Sequence, residues 1–265
     1  MNNQPSNKKR KQMKVIRKYY RDGIEYRIKF PTPLPDYLCF TANTAGSTVE
    51  LAKTGSPEAV TLEISTDGSS WNTYTIWNII TLSNIGDKVY FRNTSETTTR
   101  LNTSSSNYYT FSLYWSINAS WDVTSLINKN LTDTISGTYT FFRLFNAATF
   151  QDTSVLKTAP KLPATTLTSY CYQQMFYQCT WLTTLPELPA TTLKSYCYQY
   201  MFRYCTQIKI STSQTWIYQT AYRIPTEWTW TTSTNSLQYM FDGTWWKFTS
   251  DPSINTTYYT SNAVV

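Results

Sequence analysis

The chain of 265 residues contains no histidine and only seven glycines. Without histidine, the usual general base near neutral pH and the usual partner of a Ser or Cys nucleophile are missing. The 16 acidic residues are scattered singly, so no carboxylate pair indicates acid-base chemistry. Phosphate-loop, dinucleotide-loop and calcium-loop patterns are also absent. We therefore expect no enzyme activity, no catalytic residue, no metal site and no cofactor.

Long apolar runs are missing as well. No 18-residue apolar segment occurs, and the charged first 20 residues contain no apolar run of the length that a secretory signal needs. From these absences we expect a chain that neither enters the secretory route nor inserts into a membrane.

Positive charge is concentrated at one end of the chain. Residues 1 to 29 hold ten Lys or Arg and two acids, whereas the remaining residues hold 13 basic and 14 acidic groups. The net charge of +7 therefore describes a local arm rather than a basic surface. We predict that this arm anchors the protein to a partner; a merely solvated arm and direct nucleic-acid binding are the alternatives. The predicted anchoring residues are Lys8, Lys9, Arg10, Lys11, Lys14, Arg17, Lys18 and Arg21.

The residue types that are abundant favour strands and turns. Aromatic residues make up 17% of the chain, with 22 Tyr, and Thr, Ser and Asn dominate the polar remainder. Two β-prone runs around Asp22-Gly23 predict a hairpin over residues 14 to 30, and "PTPLP" at 31 to 35 predicts a stiff connector. Short β-prone runs from Tyr37 to about Ile117 predict an antiparallel sandwich, with a barrel as the alternative. These runs are "YLCFTA", "STVELA", "VTLEIS", "YTIWNIITL", "KVYFRN" and "YYTFSLYWSI".

A 26-residue repeat follows this β-prone region. "LPATTLTSYCYQQMFYQCTWLTTLPE" begins at residue 162, and "LPATTLKSYCYQYMFRYC" follows it directly. Weaker echoes at Leu144-Phe145 and Met240-Phe241 are typical of end repeats, so the period predicts a short solenoid of stacked turns. The predicted repeat core consists of Phe145, Cys171, Met175, Phe176, Cys179, Cys197, Met201, Phe202, Cys205 and Phe241.

Four of the five cysteines recur with this repeat. Their C-x7-C spacing is not a zinc-knuckle spacing, and no histidine is available to complete such a site. We interpret them as ladders of small buried side chains. A disulfide and a metal site are the alternatives.

Parts of the chain resemble BspA-type leucine-rich repeats. "MFYQCTWL" and "MFRYCTQI" fit the F-x-x-C-x-x-[LI] core of those repeats, and "LTTLPELP" is similar to the short strand that follows it. Upstream, "LCFTANTAGSTVELAKTGSP", "STDGSSWNTYTI" and "NIGDKVYFRNTS" resemble the β-module that accompanies these repeats in proteins of gut bacteria and their tailed phages. The resemblance implies a binding or structural module rather than a reaction.

Together these features predict a mainly β chain in three parts. Residues 1–36 form the basic arm, hairpin and Pro-rich linker, residues 37–118 form an Ig-like antiparallel sandwich, and residues 119–265 form a leucine-rich-repeat solenoid with capping ends.

The chain departs from the family where glycine is usual. Gln174 and Gln178 occupy such positions in one copy, and Tyr200 and Tyr204 occupy them in the next. Because a bulky residue takes a positive φ only at a cost, either these positions have ordinary extended or helical backbone, or the written sequence misreads a reassigned codon. The same alternatives apply to tryptophans where small turn residues are expected, namely Trp77, Trp121, Trp216, Trp228, Trp230, Trp245 and Trp246.

Recurring aromatic residues are the candidates for ligand contacts, because exposed rings stack on sugars or on protein partners. We select Tyr177, Trp181, Tyr200 and Tyr204; the alternative is that such rings belong to the core or merely decorate the surface.

The resemblance implies surface display, and assembly onto a virion needs no secretory signal. We therefore expect a non-enzymatic virion protein of a tailed phage, of minor capsid, decoration or fibre type. Its N-terminal region would dock onto other virion proteins, and its modules would bind a host surface protein or glycan. The alternatives are a bacterial cell-surface adhesin and a cytoplasmic nucleic-acid-binding protein that acts through the basic arm alone. Self-association into a homo-oligomer is left open.

Overall fold

The computed structural model describes residues 16–21, 24–29, 36–97, 99–149, 155–228, 233–245 and 251–265. The chain divides into two compact units, residues 1–35 and 36–265. The predicted connector at 31–35 and five of the predicted anchoring residues lie outside the described residues. These five are Lys8, Lys9, Arg10, Lys11 and Lys14.

The first unit contains a pair of antiparallel strands, β1 (Ile16–Arg21) and β2 (Ile24–Lys29). Ile16 lies opposite Lys29, and Arg21 lies opposite Ile24. The hairpin predicted from Asp22-Gly23 therefore has both of its strands, and Arg17, Lys18 and Arg21 belong to β1. The loop residues themselves lie outside the described residues.

The second unit is mainly β, as predicted, and its described residues contain no α-helix. Their one helical element is a 3-10 helix, Val123–Leu126, whose N-cap Asp122 accepts a hydrogen bond from the Thr124 amide. The strands are β3 (Cys39–Ala42), β4 (Ser47–Thr54), β5 (Leu62–Ser65), β6 (Asn72–Tyr74), β7 (Ile80–Leu82), β8 (Lys88–Asn93), β9 (Tyr108–Tyr114), β10 (Ile117–Ser120), β11 (Leu156–Thr158), β12 (Thr184–Leu185), β13 (Ile210–Ser211), β14 (Thr220–Ile224), β15 (Thr256–Thr260) and β16 (Ala263–Val264).

Two larger sheets contain the first eight strands of this unit and β11. One has six strands in the order β11-β10-β3-β8-β5-β6, with a parallel pairing only between β10 and β11. The other has three antiparallel strands in the order β7-β4-β9. Smaller sheets, β12-β16 and β13-β15-β14, lie further along the chain.

Aromatic side chains from the two larger sheets meet in a common core. Alternation along β4 buries Ser47, Val49 and Leu51 and leaves the residues between them half-buried. Phe40 of β3 lies 4.7 Å from Phe111 of β9, measured between ring centroids in an edge-to-face arrangement. Such pairs add about 0.5–1.5 kcal/mol beyond the burial of their area, so they fix how the two sheets face each other.

Downstream, four segments of the chain lie in register on one another: residues 139–146, 170–179, 196–205 and 235–244, called here the repeat segments. Backbone hydrogen bonds join successive segments, for example from the Phe141 amide to Cys171 O at 2.8 Å and from the Tyr172 amide to Cys197 O at 3.0 Å. Phenylalanine rings stack along the core side at centroid spacings of 5.4–5.5 Å. They are Phe145, Phe176, Phe202 and Phe241.

Within each repeat segment the backbone has a four-residue period. Tyr170, Gln174 and Gln178 all have positive φ, at 62°, 56° and 62°, and the positions between them close tight turns through i to i−3 hydrogen bonds. Because every fourth residue is left-handed, successive pairs of residues alternate between the two sides of the segment. One pair, such as Met175 and Phe176, is buried, and the next pair, such as Tyr177 and Gln178, lies half-buried on the other side. The period therefore separates the core from an outward face.

This geometry corrects the expectation of ordinary backbone at the glycine-like positions. That expectation is wrong at Gln174, Gln178, Tyr200 and Tyr204, all of which are left-handed, because inter-segment hydrogen bonds hold the backbone in this conformation. It is wrong also at Trp77 and Trp121, with φ of 75° and 64°. Trp216, Trp228 and Trp245 are exposed, and Trp230 and Trp246 lie outside the described residues.

The repeat segments and the two sheets contribute to one hydrophobic core. Ile117 of β10 pairs with Leu156 of β11. The Phe111 amide of β9 donates to Leu144 O at 2.8 Å, and the rings of Phe111 and Phe145 stack at 5.6 Å. Strand β9 thus covers the first repeat segment.

Candidate functional site

The outward face of the repeat segments consists of rows of equivalent side chains, one from each segment. One row contains Phe142, Gln173, Gln199 and Gln238, in which Gln173 Nε2 donates to Gln199 Oε1 at 2.5 Å and Gln199 Nε2 donates to Gln238 Oε1 at 2.6 Å. This amide ladder ties the segments together side by side. Apart from the buried Asn146, the residues of the two neighbouring rows are half-buried or exposed.

The two neighbouring rows carry aromatic and charged groups. The first contains Arg143, Gln174, Tyr200 and Tyr239, and the second contains Asn146, Tyr177, Arg203 and Asp242. In the first row Arg143 Nε donates to Gln174 Oε1, and the rings of Tyr200 and Tyr239 stack at 5.3 Å. The side chain at this position of the repeat segment therefore changes along the row, from arginine to glutamine to tyrosine.

These rows border an open cleft of about 620 Å3 on the side facing the paired strands β4 and β9. A volume of this size lies within the range of small-molecule sites, about 300–1,000 Å3. Its described walls combine aromatic rings, two guanidinium groups and neutral polar groups, and none of these described side chains is acidic. The lining residues are Thr54, Tyr108, Arg143, Asn146, Ala148, Thr149, Gln174, Tyr177, Tyr200 and Arg203.

The two arginines of the cleft differ in their partners. Arg203 Nε donates to Asp242 Oδ2 at 2.7 Å, and its guanidinium lies 5.1 Å from the Tyr200 ring centroid and 4.7 Å from that of Tyr204. Partial burial lowers the pKa of Arg203, but the hydrogen bond to Asp242 and the nearby Tyr204 outweigh it and leave the pKa raised. The charge of Arg203 is thus largely neutralised within the protein.

Arg143, in contrast, has neutral partners. Its Nε is bound by Gln174, its Nη1 donates to the Tyr108 hydroxyl at 3.3 Å, and its guanidinium lies 5.1 Å from the Phe142 ring centroid. No ion pair to Arg143 occurs among the described residues. Guanidinium has five N–H donors, and among the described residues only Gln174 and Tyr108 accept from Arg143, so those on Nη2 remain for a ligand in the cleft.

The pKa of the Tyr108 hydroxyl reflects the positive electrostatic potential at this end of the cleft. Burial alone raises the pKa of the Tyr108 hydroxyl, but hydrogen bonds with Thr54, Arg143 and Thr149 together with the charge of Arg143 leave it below the ordinary value. Negative charge is therefore stabilised here.

Three of the four predicted ligand residues lie together. Tyr177 and Tyr200 line the cleft, and Tyr204 contacts Tyr177 edge-to-face at 5.6 Å. Trp181 does not line it: this half-exposed ring instead packs under Lys157, with Nζ 4.1 Å from the ring centroid. The prediction was made from residue type, so it included a surface tryptophan that lies outside the cleft.

The sequence prediction missed the cationic and amide members of the site. Aligning Leu144-Phe145 with Met175-Phe176 places Arg143 in the row of Gln174, so the repeat register itself contained that signal. Tyr108 and Thr54 lie opposite each other at the ends of β9 and β4. Their approach to the repeat segments depends on long-range pairing, for which the sequence has no local signal.

All ten residues of the predicted repeat core are buried. The cysteines are free: Cys179 Sγ donates to Phe145 O and Cys205 Sγ donates to Phe176 O, both at 2.9 Å. Burial raises the pKa of Cys197 to about 12 and acts in the same direction on the other repeat cysteines. These thiols are therefore protonated and poorly reactive at neutral pH.

The described part of the chain contains neither a candidate membrane-spanning helix nor a candidate metal-binding cluster. None of its helices has the length and apolar character needed to cross a bilayer. No group of three or more His, Cys, Asp or Glu side chains in the same part of the chain is placed to hold a metal ion.

Comparison of the chain with protein-family models, curated proteins and solved structures gave no match.

Proposed function

We propose that this protein is a non-enzymatic adhesion and structural module of a tailed-phage virion that binds a surface glycan of the host. The observation that carries the binding part of the proposal is the open cleft, where Tyr177, Tyr200 and Arg143 come from three successive repeat segments. Aromatic rings beside fixed polar groups suit the apolar faces and hydroxyl groups of a sugar. The virion part rests on the family resemblance, since the β-module and repeats that this chain resembles occur in proteins of gut bacteria and their tailed phages.

We also propose a finer description of the fold. We take the two larger sheets as an Ig-like sandwich and the repeat segments as a short leucine-rich-repeat solenoid. The contact of Phe40 with Phe111 supports the sandwich, since facing sheets share an inner layer of side chains. The register of hydrogen bonds and phenylalanine stacks supports the solenoid, whose turns contact only their neighbours.

The basic N-terminal region would serve as the attachment to the particle. Ten Lys and Arg against two acids in residues 1 to 29 favour an acidic surface on a neighbouring virion protein. On a symmetric particle, many weak contacts of the cleft with a glycan would add up through avidity.

Mass spectrometry of purified particles and of host-cell fractions tests the location. We expect the chain in particles at a repeating stoichiometry. Detection only at the bacterial envelope would replace the virion role with that of a cell-surface adhesin, and detection only in the cytoplasm would contradict both.

Binding of the full chain to host cells tests the role of the cleft. The stack supplies conservative replacements: Tyr200→Gln introduces the residue found at the same position in the preceding segment, and Tyr177→Asn introduces the counterpart Asn146. Both variants are expected to lower binding, whereas Trp181→Ala, an aromatic control outside the cleft, is expected to leave it unchanged. Equal binding by all three variants would refute the cleft as the adhesion site.

A further inference from the structure

Among the described residues, the cleft contains a cation without an acidic partner. Arg143 contacts Gln174, Tyr108 and Phe142, all of them neutral, and none of the described residues that line the cleft is acidic. A half-buried guanidinium favours an anion more strongly than one in bulk water, because the local dielectric constant is lower. Its planar fork also matches the two oxygens of a carboxylate.

The residues around Arg143 restrict what kind of anion fits. Tyr177 and Tyr200, each half-buried, line the same cleft as Arg143 and offer apolar ring area, and Asn146 adds an amide. A small inorganic anion uses the arginine alone and leaves most of a volume of about 620 Å3 to water. A sugar ring that bears a carboxylate uses the arginine and the tyrosines, since its apolar face covers a tyrosine ring while its carboxylate binds the guanidinium.

We propose that the cleft selects acidic glycans, with the Nη2 side of Arg143 binding the carboxylate of a uronic- or sialic-acid unit and Tyr177 and Tyr200 contacting its ring. This inference rests on the proposed glycan binding and deepens it by naming the sugar class. Arg203 has a different role, because its charge is already matched by Asp242. It holds Tyr200 and Tyr204 in place rather than meeting the ligand charge.

The lowered pKa of Tyr108 is consistent with this assignment. The charge of Arg143 that stabilises a phenolate at Tyr108 also stabilises a carboxylate placed nearby. In the structure the Tyr108 hydroxyl accepts a hydrogen bond from Arg143 Nη1.

Calorimetry with the full chain tests the proposal. The probes are oligogalacturonate, its methyl ester, which keeps the ring and loses the charge, sialyllactose, and lactose as the neutral control. We expect at least one of the two acids to bind about tenfold or more tightly than its neutral counterpart at low salt, with the preference shrinking as salt is added.

Arg143→Gln is the central variant, since Gln174 occupies the same left-handed position in the next segment. It should reduce the affinity for the acid to that for the neutral counterpart without changing the latter. Lys129→Gln, which removes an exposed charge outside the cleft, is the matched control and should change neither affinity. Thermal unfolding of each variant checks that the fold is retained.

The outcomes separate this inference from the proposed function. Equal affinity for acid and neutral sugars would overturn the acidic preference while the proposed glycan binding stands. Binding of polyglutamate but of none of the sugars would overturn the sugar class and point to an acidic protein partner. Failure of all probes, together with failure to bind host cells, would overturn both.

Discussion

Replacement of Gln178 by glycine should stabilise the protein. The residue has a φ of 62°, and its amide donates to Arg203 O at 2.9 Å, so its backbone is held in the left-handed region. A left-handed conformation costs a non-glycine residue about 1–2 kcal/mol. Glycine avoids that cost but loses about 0.5–1 kcal/mol through the larger conformational freedom of its unfolded chain. The expected net gain therefore lies between about 0 and 1.5 kcal/mol, with a midpoint of about 0.75 kcal/mol.

Urea and thermal unfolding measure this gain. For a chain of this size, 1 kcal/mol corresponds to a shift in Tm of about 2–4 °C. Gln178→Ala keeps the cost of the left-handed conformation, so its free energy of unfolding should be close to that of the parent protein. Gln207→Gly is the control, because Gln207 is exposed and its φ is not positive, so only the entropy loss of about 0.5–1 kcal/mol should appear.

Equal destabilisation by Gln178→Gly and Gln207→Gly would refute a left-handed residue at position 178, and with it the four-residue period of the repeat segments. An intact mass in agreement with the written sequence has to accompany the experiment. A mass below the written value would instead support the hypothesis of a misread codon, since glycine is smaller than glutamine, tyrosine and tryptophan.

Three further predictions concern single side chains. Tyr172→Phe should stabilise the chain by about 1 kcal/mol in urea unfolding, since the buried Tyr172 hydroxyl has no hydrogen-bond partner among the described residues and Phe141 already fills the equivalent position; a loss of stability would reveal a hidden partner. Gly243→Ala should cost about 1–3 kcal/mol in the same assay, because its Cβ would lie 2.1 Å from the Tyr204 ring at a φ of 68°; an unchanged Tm would contradict that contact. Asp122 has its pKa raised to about 6 by burial, against the hydrogen bonds from Thr124, so the folded chain keeps this proton where the unfolded chain loses it. The free energy of unfolding should therefore fall by up to about 3 kcal/mol as pH rises from about 4 to 6, relative to an Asp122→Asn variant; parallel pH profiles of the two proteins would contradict the shift.

The strands and the repeat could be predicted because their signals are local. "STVELA" alternates and becomes β4, and "KVYFRN" becomes β8 with the same bounds. The run from Tyr74 to Leu82 divides into β6 and β7 because the chain turns between them, with Trp77 at a φ of 75°. That turn could not be predicted, since tryptophan has no intrinsic preference for the left-handed region.

The candidate site was predicted only in part, for a similar reason. Tyr177 and Tyr200 recur with the repeat and could be selected by residue type. Arg143 lies in the most divergent repeat segment, and Tyr108 reaches the cleft through the contact of β9 with that segment. Neither position follows from local propensity, because tertiary contacts decide which strand covers the end of the stack.

The four-residue period explains how one fold can carry both a constant core and a variable face. Along the core side, phenylalanine recurs at every level, because each ring must stack on the next at about 5.4 Å. Along the neighbouring outward row the residue changes from Arg143 to Gln174 to Tyr200, although all three have the same left-handed backbone. The inter-segment hydrogen bonds come from the backbone and hold whichever side chain is present. Substitutions in the outward rows can therefore alter what the cleft binds while the stacked rings that stabilise the fold remain unchanged.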